Sequence, residues 1–272
     1  MLLLLCFGVM LKTGWHSLSP WLFAGAFPWY SYGLFIQNFW VPIAGNYGAQ
    51  WLGPTWSLAI EEQFYLLLPL LVWLVPTRKL PWVLIAGILA APVFRLFASE
   101  LSAYVLLPGR MDALLLGVLL AWLYLRGSIA PGKNNSRLVV LAAFLLLLII
   151  YTYTAFSGAG MGDALLHSLL AIFYGCLLLV TLANTDKPFV HSLLANKPVR
   201  NVARISYSLY LWHQPANGLV HAWCRGDEPR MQYAEDVWIA VLGIALCFLL
   251  ATLSYYLLER PLLRYAQKFM YS

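Results

Sequence analysis

An all-α, polytopic transmembrane helix bundle is the fold this sequence predicts, and three observations carry it. Of the 272 residues, 62% are hydrophobic and only 10% are Asp, Glu, Lys or Arg, against about 25% charged in soluble domains. Apolar stretches of about 20 residues recur between polar breaks, a length that matches the roughly 30 Å hydrocarbon core of a bilayer. Runs such as Val139 to Ile150 are apolar on every side. A membrane β-barrel would instead need strict alternation over about 10 residues.

Seven full spans are predicted in order: Thr55 to Val75, Pro81 to Phe97, Arg110 to Leu125, Leu138 to Phe156, Asp163 to Ala183, Val202 to His221, and Val237 to Leu258. Alternate loops hold Arg78 and Lys79, then Arg126, Lys133 and Arg137, then Lys187, Lys197, Arg200 and Arg204, and finally Arg260, Arg264 and Lys268. Lysine and arginine favour the cytoplasmic side, so these loops and the C-terminus are expected inside. The opposite loops carry Glu100, Asp163, Asp227, Glu228, Glu235 and Asp236 and are expected outside.

Before Thr55 the pattern changes. Met1 to Leu11 is apolar but only about half a span long, and it lacks the basic start of a signal peptide. It reads as a partial span that ends outside near Lys12. Residues 12–54 follow as an outer interfacial or re-entrant region, because Trp15 to Trp56 holds six of the twelve tryptophans and Pro20, Pro28, Pro42 and Pro54 break any long helix. Tryptophan settles at the headgroup level. The whole chain, residues 1–272, is read as one membrane-embedded domain.

The four cysteines show neither disulfide nor zinc spacing, so no metal is expected. The net charge of +6 comes from basic residues spread over short loops. They report topology and exclude a nucleic-acid patch.

Ionisable groups inside spans cost about 2.5–3.5 kcal/mol each on insertion scales, so each asks for a reason. The first set is Trp56-Ser57-Leu58-Ala59-Ile60-Glu61-Glu62-Gln63-Phe64-Tyr65. Ser57, Glu61 and Tyr65 share one helical face at i, i+4 spacing, and Glu62 points about 100° away. A plainer reading leaves both carboxylates solvating the outer interface. The second set is Gly109-Arg110-Met111-Asp112, where Asp112 in a first turn also suits the helix dipole. Arg110 brings a planar cation suited to phosphate, carboxylate or sugar oxygens and is a candidate partner for Glu61 or Glu62. The third is Ser206, Tyr210, His213 and Asn217 at i, i+4, i+7, i+11, a polar stripe beside the kink expected at Pro215. A packing role for His213 is the plainer alternative. Arg95 is expected to snorkel to its span end, Asp163 with His167 reads as a helix-start pair, and Glu259-Arg260-Pro261 reads as a helix stop whose charges reach water.

Trp56 to Tyr65, Gly109-Arg110-Met111-Asp112-Ala113, Ile205 to His213 and Glu259-Arg260-Pro261, in that order, resemble the later part of the acyltransferase 3 family. The resemblance runs from Thr55 to the C-terminus and takes in the N-terminal stub. It implies a multi-pass enzyme of the bacterial inner membrane that moves an acyl group, commonly acetyl from acetyl-CoA, onto hydroxyls of surface or exported carbohydrate. Members of that family begin with further helices bearing an arginine and a histidine implicated in catalysis. Met1 falls midway through the family's third helix, so the sequence is expected to be N-terminally incomplete, either a truncated gene product or a misplaced start. The family's catalytic histidine carries over to no residue here, and His213 does not replace it.

Acyl transfer needs a base for the hydroxyl proton and a cation or donor for the oxyanion. Glu61 or Glu62 is expected to position the acceptor or orient the base. Arg110 is expected to hold charge on the donor or tetrahedral intermediate, and Asp112 to fix Arg110. His213, with Ser206 and Tyr210, is expected to line the same cavity, and Ser57 and Tyr65 to meet substrate. The implied partners are membrane lipid, a carbohydrate acceptor and acyl-CoA. A transporter of lipid-linked or small substrates is the rival class, but it would call for inverted repeats and glycine-broken helices in matching halves, which are not visible. An inactive fragment of the enzyme is the third reading.

Overall fold

The computed structural model describes residues 2–14, 19–127, 142–146, 148–150, 152–153, 161–184 and 187–270; the side chains of residues 2, 161–163, 183, 189, 269 and 270 are left aside. Among the described residues every regular element is a helix. The order is α1 (Leu2–Lys12), α2 (Pro20–Phe23), α3 (Trp29–Gly33), α4 (Gln37–Ala44), α5 (Thr55–Leu74), α6 (Leu80–Phe97), α7 (Glu100–Val105), α8 (Leu107–Leu125), α9 (Met161–Ala183), α10 (Pro188–Ala195), α11 (Lys197–Arg225) and α12 (Asp236–Ser254). A π-helical turn (Tyr255–Glu259) then leads into α13 (Arg260–Met270).

Five segments are long and apolar enough to cross a membrane: Thr55–Leu74, Leu80–Phe97, Glu100–Leu125, Ala164–Leu182 and Asp236–Lys268. Four of them lie over the predicted first, second, third and fifth spans, and the fifth segment over the seventh. Of the predicted span Leu138 to Phe156, residues 142–146, 148–150 and 152–153 are described and helical, and the others lie outside the described residues. Val202 to His221 lies within one helix of 29 residues, yet α11 is not among the five. Its polar stripe and basic start dilute the apolar content below what a lone span requires, so five of the seven predicted spans are matched among the described residues. Large apolar side chains cover the outward faces of the spans, among them Leu66, Leu70 and Trp73 on α5 and Leu242, Ile244 and Leu249 on α12. Such surfaces suit lipid tails, where only close packing and internally satisfied backbone hold helices together.

The described chain forms two compact units. One unit comprises Met1–Gln37, Asn46–Trp56 and Asn196–Ser272. Its core gathers Leu3, Phe7, Leu22, Phe23, Trp51, Trp212 and Ala216. Phe7, Phe23 and Trp51 stack in series at 5.5 and 5.2 Å, and Trp51 meets Trp212 edge-on at 6.1 Å. The Trp51 indole also donates to the Leu3 carbonyl at 3.1 Å, so this tryptophan is spent on packing α1. The long helices α11 and α12 pack along each other, with Gly243 of α12 against Asn217 of α11. A Cβ on Gly243 would lie 3.0 Å from the Asn217 amide oxygen, and one on Gly218 would lie 2.6 Å from the Leu22 side chain.

Pro261 does not stop the last helix, contrary to the sequence reading. It sits in the first turn of α13. A proline there cannot donate to the carbonyl one turn back, and the wider π turn over Tyr255–Glu259 takes up the mismatch. Glu259, half-buried, accepts a hydrogen bond from the buried Ser208 of α11 at 3.0 Å.

The second unit comprises Asn38–Gly45 and Ser57–Ala195. Phe64, Leu80, Leu84 and Leu115 form its apolar centre. α8 packs on α6 and on α9, and the start of α8 is pressed against α7. A Cβ on Gly109 would come within 2.1 Å of the Ala103 carbonyl oxygen, so only glycine fits that corner.

Candidate active site

In the second unit the charged residues organise the start of α8. Arg95, near the end of α6, is 6% exposed, and its side chain pairs with Asp112 of α8 at 2.8 Å, the two side chains being 2% and 3% exposed. The guanidinium also donates to the Ala164 carbonyl of α9 at 2.7 Å, to the Gly109 carbonyl and to the Ser168 hydroxyl. Ser168 donates in turn to Asp112. One buried cation therefore ties α6, α8 and α9 together. The expectation that Arg95 snorkels is overturned, because its span end is capped by protein and a facing carboxylate offers a better partner than the interface. The Asp112 carboxylate holds Arg95, where the sequence reading expected it to hold Arg110. Asp163 lies outside the described side chains; His167, its expected mate, has its ring 5.8 Å from that of Tyr104.

Arg110 leaves this corner half-buried, with its guanidinium 4.7 Å above the Tyr104 ring of α7. Cation–π contact of this kind holds the side chain flat against the ring, and a guanidinium is a group suited to anionic oxygens. On α5, Glu61 is exposed and Glu62 half-buried. Gln63, the next residue, donates to the side chain of Asn38 at 2.9 Å, and the buried Asn38 donates to the Val105 carbonyl at 3.1 Å. That chain fixes the rotation of α5 relative to the end of α7, and with it the direction of both carboxylates. Ser57 is half-buried and Tyr65 is 56% exposed, its ring against Phe64.

In the first unit the stripe on α11 divides its work. The Tyr210 hydroxyl donates to the Pro54 carbonyl at 3.0 Å. Gln214 donates to Gln50, so two side chains of α11 grip the loop before α5. His213 is exposed, with Nδ1 against the Tyr210 carbonyl of its own helix. Ser206 is exposed and donates to the Ala203 carbonyl at 2.9 Å, and Asn217 faces Gly243. Sequence reasoning missed Asn38, Gln63, Gln214 and Ser168, and it set Arg95 aside. Pairing up the intramembrane charges would have recovered Arg95, since Asp112 needed a cation and a buried charge is kept only with a partner.

Five apolar helices of membrane-spanning length among the described residues define a multi-pass membrane protein. The chain belongs to the acyltransferase 3 family, whose description as an acyltransferase domain matches residues 3–258. It is similar to O-acetyltransferase OatA of Staphylococcus aureus (strain NCTC 8325 / PS 47), at 26% identity over 247 residues that cover 84% of this chain and 40% of that protein. It also resembles peptidoglycan O-acetyltransferase OatA of Listeria monocytogenes serovar 1/2a, at 29% identity over 226 residues, covering 76% of this chain and 34% of the relative. Putative peptidoglycan O-acetyltransferase YrhL of Bacillus subtilis (strain 168) matches at 26% identity over 228 residues, with the same two coverages. The chain thus spans two fifths or less of the length of these relatives. No solved structure matches it.

Proposed function

We propose that the chain is the membrane part of an O-acyltransferase that moves an acyl group, acetyl in the first instance, from acyl-CoA to a hydroxyl of a cell-envelope carbohydrate, working in the cytoplasmic membrane with its C-terminus inside. The observation that carries this reading is the family match across residues 3–258, supported by relatives named as peptidoglycan O-acetyltransferases. In the reaction the acceptor hydroxyl attacks the thioester carbonyl, a base takes its proton, the carbonyl oxygen carries negative charge, and the CoA thiolate leaves. Arg110 is proposed to hold the developing charge or the donor phosphates. Glu61 or Glu62 positions the acceptor or orients the base, while the base itself is assigned to no residue of this chain. Ser57, Tyr65, Ser206, Tyr210 and His213 are proposed to meet substrate. The basic cluster Lys197, Arg200 and Arg204 around a cavity of about 270 Å³ at the start of α11 supports a cytosolic, phosphate-rich donor.

Membranes containing the chain and its full natural context, given radiolabelled acetyl-CoA, are expected to yield labelled glycan. Glu62→Gln and Arg110→Ala are each expected to lower the label by about a hundred-fold or more, the scale for loss of one charge-stabilising donor. Unchanged label in both variants removes these roles.

A further inference from the structure

At the far end of α11 from its basic start, and wholly within the first unit, the turn of α11 into α12 encloses a second polar cavity of about 140 Å³. Its wall is built rather than incidental. Asp236, 2% exposed, accepts from the backbone N–H groups of Gln232 and Tyr233, both at 2.7 Å, and from Arg225 at 2.9 Å. The loop is thereby folded over the end of α11. Arg230 pairs with Glu228 at 3.0 Å on the rim, and Asp227 accepts from the Glu228 N–H at 2.7 Å.

Beneath them lies His221, 3% exposed and part of the cavity wall. Its imidazole makes no hydrogen bond among the described residues, whereas buried polar side chains are nearly always partnered. A buried ring with one donor and one acceptor turned to a small cavity calls for a ligand that offers both.

Charge decides which ligand. Three carboxylates outnumber the two arginines in the wall, so a free phosphate or carboxylate is repelled. A bare cation is disfavoured as well, because each of those carboxylates already accepts from an arginine or a backbone N–H. What remains on offer is an alternation of spare arginine N–H groups, the second carboxylate oxygens of Asp227 and Glu228 on the rim, the Gln232 amide and the His221 nitrogens. Neighbouring hydroxyls, each donor and acceptor at once, satisfy such an alternation. The cavity is well below the roughly 300–1,000 Å³ of sites for drug-sized ligands and suits a single sugar ring. Tyr233, 64% exposed and with the Arg225 guanidinium 5.3 Å from its ring centroid, adds an aromatic ring to the rim.

We propose that the cup formed by His221, Arg225, Gln232, Tyr233 and Asp236 is a saccharide subsite that holds one neutral ring of a glycan strand, apart from the residues assigned to acyl transfer. The choice of a saccharide rests on the carbohydrate acceptor proposed above. The charge asymmetry of the loops, which puts this end of α11 outside, agrees with it.

The test uses the full chain in nanodiscs of neutral lipid, titrated with chitotetraose and read by isothermal calorimetry, with labelled acetyl transfer to a short soluble acceptor measured on the same sample. Chitotetraose is expected to bind, and Gln232→Ala and His221→Gln are each expected to weaken it about ten-fold, the loss of one hydrogen bond, with helicity unchanged. Inorganic phosphate is expected not to compete. Absence of chitotetraose binding by the wild-type chain, or binding that both variants leave unaltered, overturns the subsite whatever the transfer assay shows. Binding that follows the variants while no acetyl moves upholds the subsite and counts against the proposed activity instead.

Discussion

Arg95 and Asp112 show how a single pair of side chains sets a corner in a chain with few charges. Their attraction operates where water is scarce, and both charges are satisfied by further bonds, the condition under which a buried pair is tolerated. Removing one partner strands the other, so Arg95→Leu or Asp112→Leu is expected to cost about 3–5 kcal/mol, read as a large fall in the thermal midpoint of the detergent-solubilised chain. The double variant Arg95→Leu with Asp112→Leu is expected to recover most of that loss, because an apolar pair leaves no stranded charge. A double variant no more stable than the singles would show that the bonds from Arg95 to the Gly109 and Ala164 carbonyls matter more than the ion pair. At this scale the sequence was half legible. Asp112 and Arg110 stood out because they interrupt an apolar run, but their spacing could not say which of two nearby arginines the carboxylate chooses. That choice is made by α6 and α9, which meet α8 from distant stretches of chain.

Helix boundaries were easier to read than helix ends were to interpret. Thr55, Pro81 and the Arg78-Lys79 turn punctuate α5 and α6 in the sequence, and the structure begins and ends them within a few residues of the prediction. Pro261 was misread because a proline normally closes a helix, and nothing local announces that a π turn will absorb it. The short α7 was folded into a loop because six residues carry too little periodicity to register. Close approaches between elements were equally hidden. Gly109 and Gly117 look alike in sequence, yet a Cβ at Gly109 would strike the Ala103 backbone, while Gly117 has nothing within 4 Å. Gly109→Ala is therefore expected to destabilise the chain by about 1–3 kcal/mol. Gly117→Ala should be neutral or stabilising by up to about 1 kcal/mol, as for alanine replacing glycine in a helix. Thermal melts of the two variants side by side check this, and equal midpoints would refute the proposed contact.

Over the whole molecule, composition alone pointed to a membrane protein, since 10% of the residues are charged against about 25% in soluble domains. The polar side chains of α11 serve packing as much as chemistry: Tyr210 and Gln214 hold the loop before α5, Ser208 holds Glu259, and Asn217 lies against Gly243. Those uses exist only once the neighbours are in place, so hydropathy summed along one helix cannot register them.

The same circumstance bears on how the protein is made. Leaving the ribosome first and too polar to partition into lipid unaided, α11 is expected to stay at the insertion machinery until α12 emerges and offers it a seat. A chain ended at Gly226 should then leave α11 outside the hydrocarbon, whereas one carried through to Met270 should integrate it. Glycosylation-site mapping in microsomes reports the difference, and efficient integration of the shorter chain would show that α11 enters alone.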